Sequence, residues 1–131
     1  MATVYGETPQ DVVIDIVRSL GWLRQIRYPD RDSSFTKLFC EMGSGRRCVL
    51  WLLTYVIHVE TPCSDLVADL QDGNRWNQIH GGSALLYEEY DHTMVFRTGI
   101  SLAGGVTREH IRFELQSHEY DLEKSIPGVC G

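Results

Sequence analysis

The chain has 131 residues, of which 43% are hydrophobic and 23% charged, the balance of one soluble domain spanning residues 1–131. Its longest apolar stretch, residues 48–59, is shorter than the roughly 20 residues that cross a bilayer, so no membrane-spanning helix is expected. The net charge of −6 lies entirely in residues 61–131, which carry eleven Asp or Glu against five Lys or Arg; this acidity disfavours nucleic-acid binding and suits a partner with basic segments.

The first helix is predicted to begin at Thr8, whose hydroxyl can cap it, with Pro9 at the first helical position and Gly21 as terminator. The apolar positions recur at helical spacing and should form its buried stripe: Val12, Val13, Ile16, Val17 and Leu20. The first ten residues have no basic residue ahead of an apolar run, so no secretory signal is expected and the protein is predicted to be cytoplasmic.

Two strands are predicted over residues 35–42 and 48–59, joined by the glycine-containing hairpin loop 43–47, and residues 22–28 are a candidate for a further strand before them. The second of these strands is apolar on both faces. One face would carry Val49, Trp51, Leu53, Tyr55 and Ile57, and the other Leu50, Leu52 and Val56. Helices can cover one side of such a sheet, so the face with Trp51 is predicted to be either core or an interface with a partner or a second copy.

Thr61-Pro62 repeats the start signal of the first helix and predicts a second one there. Leu66, Val67 and Leu70 would be its buried stripe, and Gly73 should weaken its far end.

A second hairpin is predicted over residues 83–90 and 93–102, turning at residues 91–92. Its later strand alternates between a buried and a mostly solvated face. Thr107 follows two glycines and should cap the third helix, which is expected to end at Pro127-Gly128. The buried face of that helix would be Ile111, Leu115, His118 and Leu122.

The resulting order is helix, two or three strands, helix, two strands, helix. Strands that are neighbours along the chain pair in hairpins, so the pattern favours an α+β fold with an antiparallel sheet of about five strands and three helices.

Three segments of the second half form a recognisable set: Asn74-Arg75-Trp76, the hairpin pair Ala84-Leu85-Leu86-Tyr87 and Met94-Val95-Phe96-Arg97, and residues 102–109 (LAGGVTRE). With the element order, they resemble the YbjN family of proposed bacterial sensory transduction regulators, whose fold is similar to that of type III secretion chaperones. The resemblance implies a small, acidic, non-enzymatic protein that binds other proteins as a homodimer, without catalytic residues, and no cofactor is expected.

Cys63 offers a chemical alternative. A thiol near the start of a helix can have a lowered pKa, and His58 and Asp65 are near enough in sequence to complete a nucleophilic set with it. The alternative function is therefore a small thiol-based enzyme or redox sensor centred on Cys63, and a half-buried structural cysteine is the more ordinary interpretation.

Other chemistry-bearing residues favour structural roles. His110, Glu114 and His118 are spaced four apart as zinc ligands can be, but one helix rarely supplies a whole site, so no metal is predicted and His118 is expected in the core. Cys40 and Cys48 could face each other across the first hairpin and are expected to be reduced. The favoured function is a non-catalytic protein-binding module, a regulator or a chaperone-like holder of a partner segment, that binds neither nucleic acid nor membrane.

Overall fold

A computed structural model of the chain describes residues 10–22, 36–67, 69–79, 83–89 and 91–130. It confirms the predicted α+β fold, with a five-stranded antiparallel sheet in the order β1-β2-β3-β5-β4. The elements in chain order are α1 (Gln10–Ser19), β1 (Thr36–Glu41), β2 (Arg47–Leu52), β3 (Val56–Pro62), α2 (Leu70–Ile79), β4 (Ser83–Glu88), β5 (Thr93–Ser101), α3 (Arg108–Tyr120), a π-helical turn (Asp121–Ser125) and α4 (Ile126–Cys130).

One hydrophobic core lies between the helices and one face of the sheet. Alternate side chains of every strand point into it, as the period of two requires. Its largest fully buried members are Trp22, Trp76, Phe96, Leu38, Leu50, Ile57, Ile100, Leu102, Ile111, Leu115, Leu122 and Ile126. In the described part of the chain the helices all contribute to this one core, and we call the opposite face of the sheet the outer face. Within the described ranges, none of the helices is long and apolar enough to cross a membrane.

Helix α1 ends at Gly21 as predicted, because Gly21 adopts a φ of +73° that glycine tolerates. The Trp22 N–H donates to Val17 O at 3.1 Å and the Gly21 N–H to Arg18 O at 2.9 Å, the usual closing bonds of a glycine-terminated helix. The Trp22 carbonyl in turn accepts from the Glu41 N–H at 3.1 Å, which attaches the end of α1 to β1. The Thr8 cap and the candidate strand beyond Trp22 lie outside the described residues.

The prediction of a single strand over residues 48–59 is wrong. This segment is divided into β2 and β3 by a turn at Thr54 and Tyr55, where the Leu53 N–H donates to Val56 O at 3.0 Å. A two-residue turn pairs Leu53 with Val56, so the alternation of faces shifts by one residue across it. Odd-numbered residues of β2 and even-numbered residues of β3 therefore share the outer face.

The second helix does not begin at Thr61 as predicted, because β3 runs through Pro62 and buries Thr61 in the core. The Cys63 N–H donates to Met94 O at 2.8 Å, so the backbone nitrogen of Pro62 faces away from β5. Pairing with β2 has already ended at Glu60 on that side. A proline is tolerated there because its missing N–H lies beyond the partner strand.

Helix α2 begins instead at Leu70, and Asp69 caps it, since the Asp72 N–H donates to Asp69 Oδ1 at 2.9 Å. Leu70, predicted to be buried, has 54% of its surface exposed. A Cβ added to Gly73 would lie 2.8 Å from Met94 Cε, so the glycine permits α2 to approach β5 closely.

Helix α3 begins where predicted, with Thr107 extended and its Oγ1 accepting from the His110 N–H at 3.1 Å. It does not end at Pro127. The chain continues through the π-helical turn, in which the Ile126 N–H bonds to Asp121 O, into α4. In a regular α-helix Pro127 could not donate a backbone hydrogen bond, and its ring would clash with the carbonyl four residues earlier. The π-helical turn directly before it is wider than an α-helical turn and accommodates the proline.

Thr107→Ala should lower the free energy of unfolding by about 1 kcal/mol, because the substitution leaves the first N–H groups of α3 without their capping hydroxyl. Urea denaturation measures the change, and Thr107→Ser, which retains the hydroxyl, is the control. An unchanged midpoint for Thr107→Ala would contradict the assigned cap.

Candidate partner-binding surfaces

The five residues predicted to form an interface do not share one face. Val49 and Trp51 lie on the outer face and are partly exposed, and Leu53, directly after the end of the same strand, is half-buried. Tyr55 is in the turn, with 59% of its surface exposed. Ile57 is fully buried in the core opposite Leu52, because the turn changes the alternation of faces.

The outer face mixes apolar and charged side chains. Its apolar members on the five strands are Phe39, Val49, Trp51, Val56, Ala84, Leu86 and Val95. Its formal charges balance, with Lys37, Arg47 and Arg97 against Glu41, Glu60 and Glu88. The Lys37 ammonium lies 4.0 Å from the centre of the Trp51 ring, a cation–π contact. Arg97 pairs with Glu60 at 2.7 Å.

A shallow depression of about 380 Å³ adjoins Trp51 on this face. It is lined by Trp51, Leu53, His58, Glu60, Glu88 and Arg97. Two thirds of these side chains are charged or titratable, so the depression suits a mixed protein surface better than an apolar small molecule.

A second concave surface lies at the end of the sheet, where the start of α2 meets the β4–β5 hairpin. This end groove has a volume of about 590 Å³ and is lined by Ser64, Val67, Asp69, Leu70, Gln71, Tyr87, His92 and Met94. The sequence-based prediction did not find it, because it placed the start of α2 at Thr61 and the Leu70 side chain in the core. The detectable signal was Asp69, a second capping residue eight positions later.

Cys63 does not have the surroundings of a reactive thiol. Its side chain is fully buried, and burial, followed by the negative charge of Asp65, raises its pKa to about 12. His58 is on the outer face of β3, whereas the buried Cys63 belongs to the core cluster on the other side of the sheet. Asp65 is paired with Arg46. His58 is thus on the opposite face of the sheet from Cys63, and Asp65 is paired with a cation, so the predicted nucleophilic set is not assembled.

His118 lies in the core, as predicted, with no exposed surface. Its Nε2 is 2.9 Å from Thr61 Oγ1 and its Nδ1 is 2.8 Å from Thr98 Oγ1, so both ring nitrogens have a hydroxyl partner. Burial lowers the pKa of the imidazole to about 3 and keeps it neutral. His110, by contrast, is exposed; the helical spacing of the two histidines does not bring them to a shared surface.

Cys40 and Cys48 face each other across the first hairpin, as predicted, at paired positions of β1 and β2. Both are buried and reduced. Both belong to the hydrophobic core, where they serve as small apolar side chains in the packing.

The arrangement of helices on one side of this sheet is shared with solved structures. The crystal structure of YbjN from E. coli superimposes with a TM-score of 0.64 and 14% identity, over 98% of this chain and 93% of that one. An uncharacterized protein from Methanothermobacter thermautotrophicus gives a TM-score of 0.57 with 9% identity, over 93% of this chain and 99% of that one. A chain of the HopA1–SchA chaperone–effector complex gives 0.56 with 13% identity, over 92% and 91%.

These likenesses confirm the predicted fold, that of YbjN and of the type III secretion chaperones. At 14% identity or less they concern the fold alone. No protein-family model matches the chain, and no curated protein matches it.

Proposed function

We propose that this protein is a non-catalytic protein-binding module that holds a segment of a partner protein, as a regulator or a chaperone, and that it works as a homodimer. The observation that carries the proposal is that the chain exposes two separate, partly apolar surfaces: the outer face, where aromatic and aliphatic side chains remain partly exposed among balanced charges, and the end groove, where Leu70 and Tyr87 are exposed. The likeness to a chain of a chaperone–effector complex supports it. We place the protein in the bacterial cytoplasm, where reduced thiols such as Cys40 and Cys48 are the ordinary state.

The homodimer interface that we propose is the part of the outer face around Trp51. Phe39 is 42% exposed, and Val49 and Trp51 are partly exposed beside it. Two copies that each carry a net charge of −6 repel one another least where the facing surfaces have no net charge, and the outer face meets that condition. A two-fold axis would bury the same patch on both copies.

Trp51→Glu is expected to convert the dimer into a monomer, because it places a charge in the centre of the proposed interface. Sedimentation at tens of micromolar should show twice the chain mass of 14.9 kDa for the unmodified protein and the single mass for the variant. Phe113→Glu is the matched control, since Phe113 is 62% exposed on α3, on the helical side of the sheet.

Circular dichroism of each variant separates loss of association from loss of folding. If Trp51→Glu does not fold, Phe39→Glu on the exposed edge of the same patch replaces it. A single 14.9 kDa species for the unmodified protein, or a dimer that survives both substitutions, contradicts the proposed interface.

The partner-binding part of the proposal has its own test. Affinity purification from the source cell, followed by limited proteolysis of the isolated complex, should yield one partner in stoichiometric amount with a single protected segment. Recovery of the protein without any stoichiometric partner, under every growth condition in which it is made, would show that it does not hold one.

A further inference from the structure

The end groove has apolar walls that are held in place by polar contacts. Leu70, 54% exposed, and Tyr87, 40% exposed, form its two sides, and the buried Met94 lies at its base. The Tyr87 hydroxyl is 2.9 Å from His92 Nδ1, which fixes one wall. Asp69 fixes the other by capping α2. An exposed leucine opposite an exposed tyrosine, in a cavity of about 590 Å³, can accept one or two apolar side chains.

Negative charge surrounds this groove. The described parts of the two segments that form it, residues 63–67, 69–72, 83–89 and 91–94, contain six of the chain's 18 acidic residues and no Lys or Arg. Two of the six do not act on the groove, because Asp65 is paired with Arg46 and Glu88 lies on the outer face. The others include Asp69 in the groove wall and the exposed Glu89 and Asp91 on the hairpin that carries Tyr87 and His92. An occupant with positive charges beside its apolar side chains is therefore attracted, and an acidic one repelled.

The neighbouring sheet edge indicates how an occupant would be held. The Asn77 side chain bonds to both backbone groups of Leu85 on β4, donating to Leu85 O at 2.9 Å and accepting from the Leu85 N–H at 2.7 Å. Those backbone groups would otherwise be free to pair with an added strand. Because α2 already occupies them, an added strand cannot pair with β4 at Leu85.

We propose that the end groove binds a partner segment in which apolar side chains are flanked by Lys or Arg. This inference rests on the proposed function, because it specifies the class of segment that the module holds. It assigns partner binding to the end groove, on Leu70 and Tyr87, and leaves the outer face around Trp51 for the second copy.

Synthetic peptides test the proposal. The acetylated peptide KKLLKK should shift the amide resonances of Leu70, Tyr87 and His92 saturably in a titration of the isotope-labelled protein. Two counterparts separate the contributions: EELLEE keeps the apolar centre and reverses the charge, and KKSSKK keeps the charge and removes the apolar centre. Both should bind roughly tenfold more weakly or worse. Raising the ionic strength from about 0.05 M to about 0.3 M should weaken KKLLKK several-fold, because the charges are exposed.

Leu70→Gln removes an apolar wall at a mostly exposed position and should weaken KKLLKK roughly tenfold without unfolding the protein. Ile79→Gln is the matched control, since Ile79 lies at the other end of the same helix with 62% of its surface exposed. Asp69→Asn removes one charge and keeps a side chain that can still cap α2, so it should weaken the peptide and spare the fold.

Equal binding of KKLLKK and EELLEE would overturn the charge argument, and shifts confined to the outer face around Trp51 would overturn the assigned location. Absence of any saturable shift would overturn the groove as a peptide site. These outcomes can be distinguished from a failure of the proposed function. If the Leu70→Gln variant still co-purifies with a stoichiometric partner, the protein does hold a partner, but at a surface other than the end groove.

Discussion

Phe96→Ala is expected to lower the free energy of unfolding by about 3–5 kcal/mol, the effect of deleting a large buried aromatic side chain. Phe96 is fully buried on β5. The Trp76 ring meets it edge-on, with centroids 5.1 Å apart, and the His118 ring stacks on it at 4.7 Å. Since Trp76 belongs to α2 and His118 to α3, the substitution removes one aromatic contact that each of these helices makes with the sheet.

Urea denaturation at neutral pH measures this effect, and a midpoint lower by about 2 M is expected. Phe113→Ala is the control, because the same side chain is deleted at a position that is 62% exposed on α3 and should change the stability by no more than about 0.5 kcal/mol. Similar midpoints for the two variants would show that the three-ring cluster does not hold the helices to β5.

The pattern of the sequence was sufficient for the class of fold and for most of the second half of the chain. Ile100 is buried between the exposed Gly99 and Ser101 in β5, and Thr107 caps α3, as expected, although Val95 on the predicted solvated face is buried. These features are local. A strand with one covered face, or a hydroxyl before an amphipathic helix, can be predicted without knowing which elements pack against it.

The turn between β2 and β3 could not be found in this way. Hairpin turns of two residues usually contain Gly, Asn or Asp, which accept a positive φ. Neither Thr54 nor Tyr55, both within the described ranges, has a positive φ or belongs to those types. The uninterrupted apolar run therefore resembles one long strand. Because the turn was missed, Ile57 was predicted on the wrong face of the sheet, and one of the five predicted interface residues lies in the core instead.

The start of α2 shows how tertiary context overrides a local signal. Thr61-Pro62 has the composition of a helix start, but the Thr61 hydroxyl is needed by the buried His118 ring, and Pro62 falls where β3 no longer pairs with β2. The end groove follows from that shift, because it moves the beginning of α2 to Asp69 and leaves Leu70 exposed. Neither the histidine nor the end of the pairing is visible from residues 61 and 62 alone.

The largest pH effect on stability should come from His118. Its pKa is about 3 in the folded protein, through burial, and about 6.5 when unfolded. The unfolded chain therefore binds a proton that the folded chain does not, so His118 stabilises the fold fully above pH 6.5 and progressively less as the pH falls toward 3. Each pH unit within that window corresponds to about 1.4 kcal/mol.

Between about pH 7 and pH 5, above the range in which ordinary carboxyl groups titrate, the free energy of unfolding should fall by about 2 kcal/mol in the unmodified protein. His118→Gln should be less stable at pH 7, because a differently shaped side chain replaces the ring between Thr61 and Thr98, but it should lose this pH dependence. His110→Gln, at an exposed position on the same helix, should retain it. Equal slopes for the unmodified protein and His118→Gln would show that the imidazole can gain its proton within the folded state.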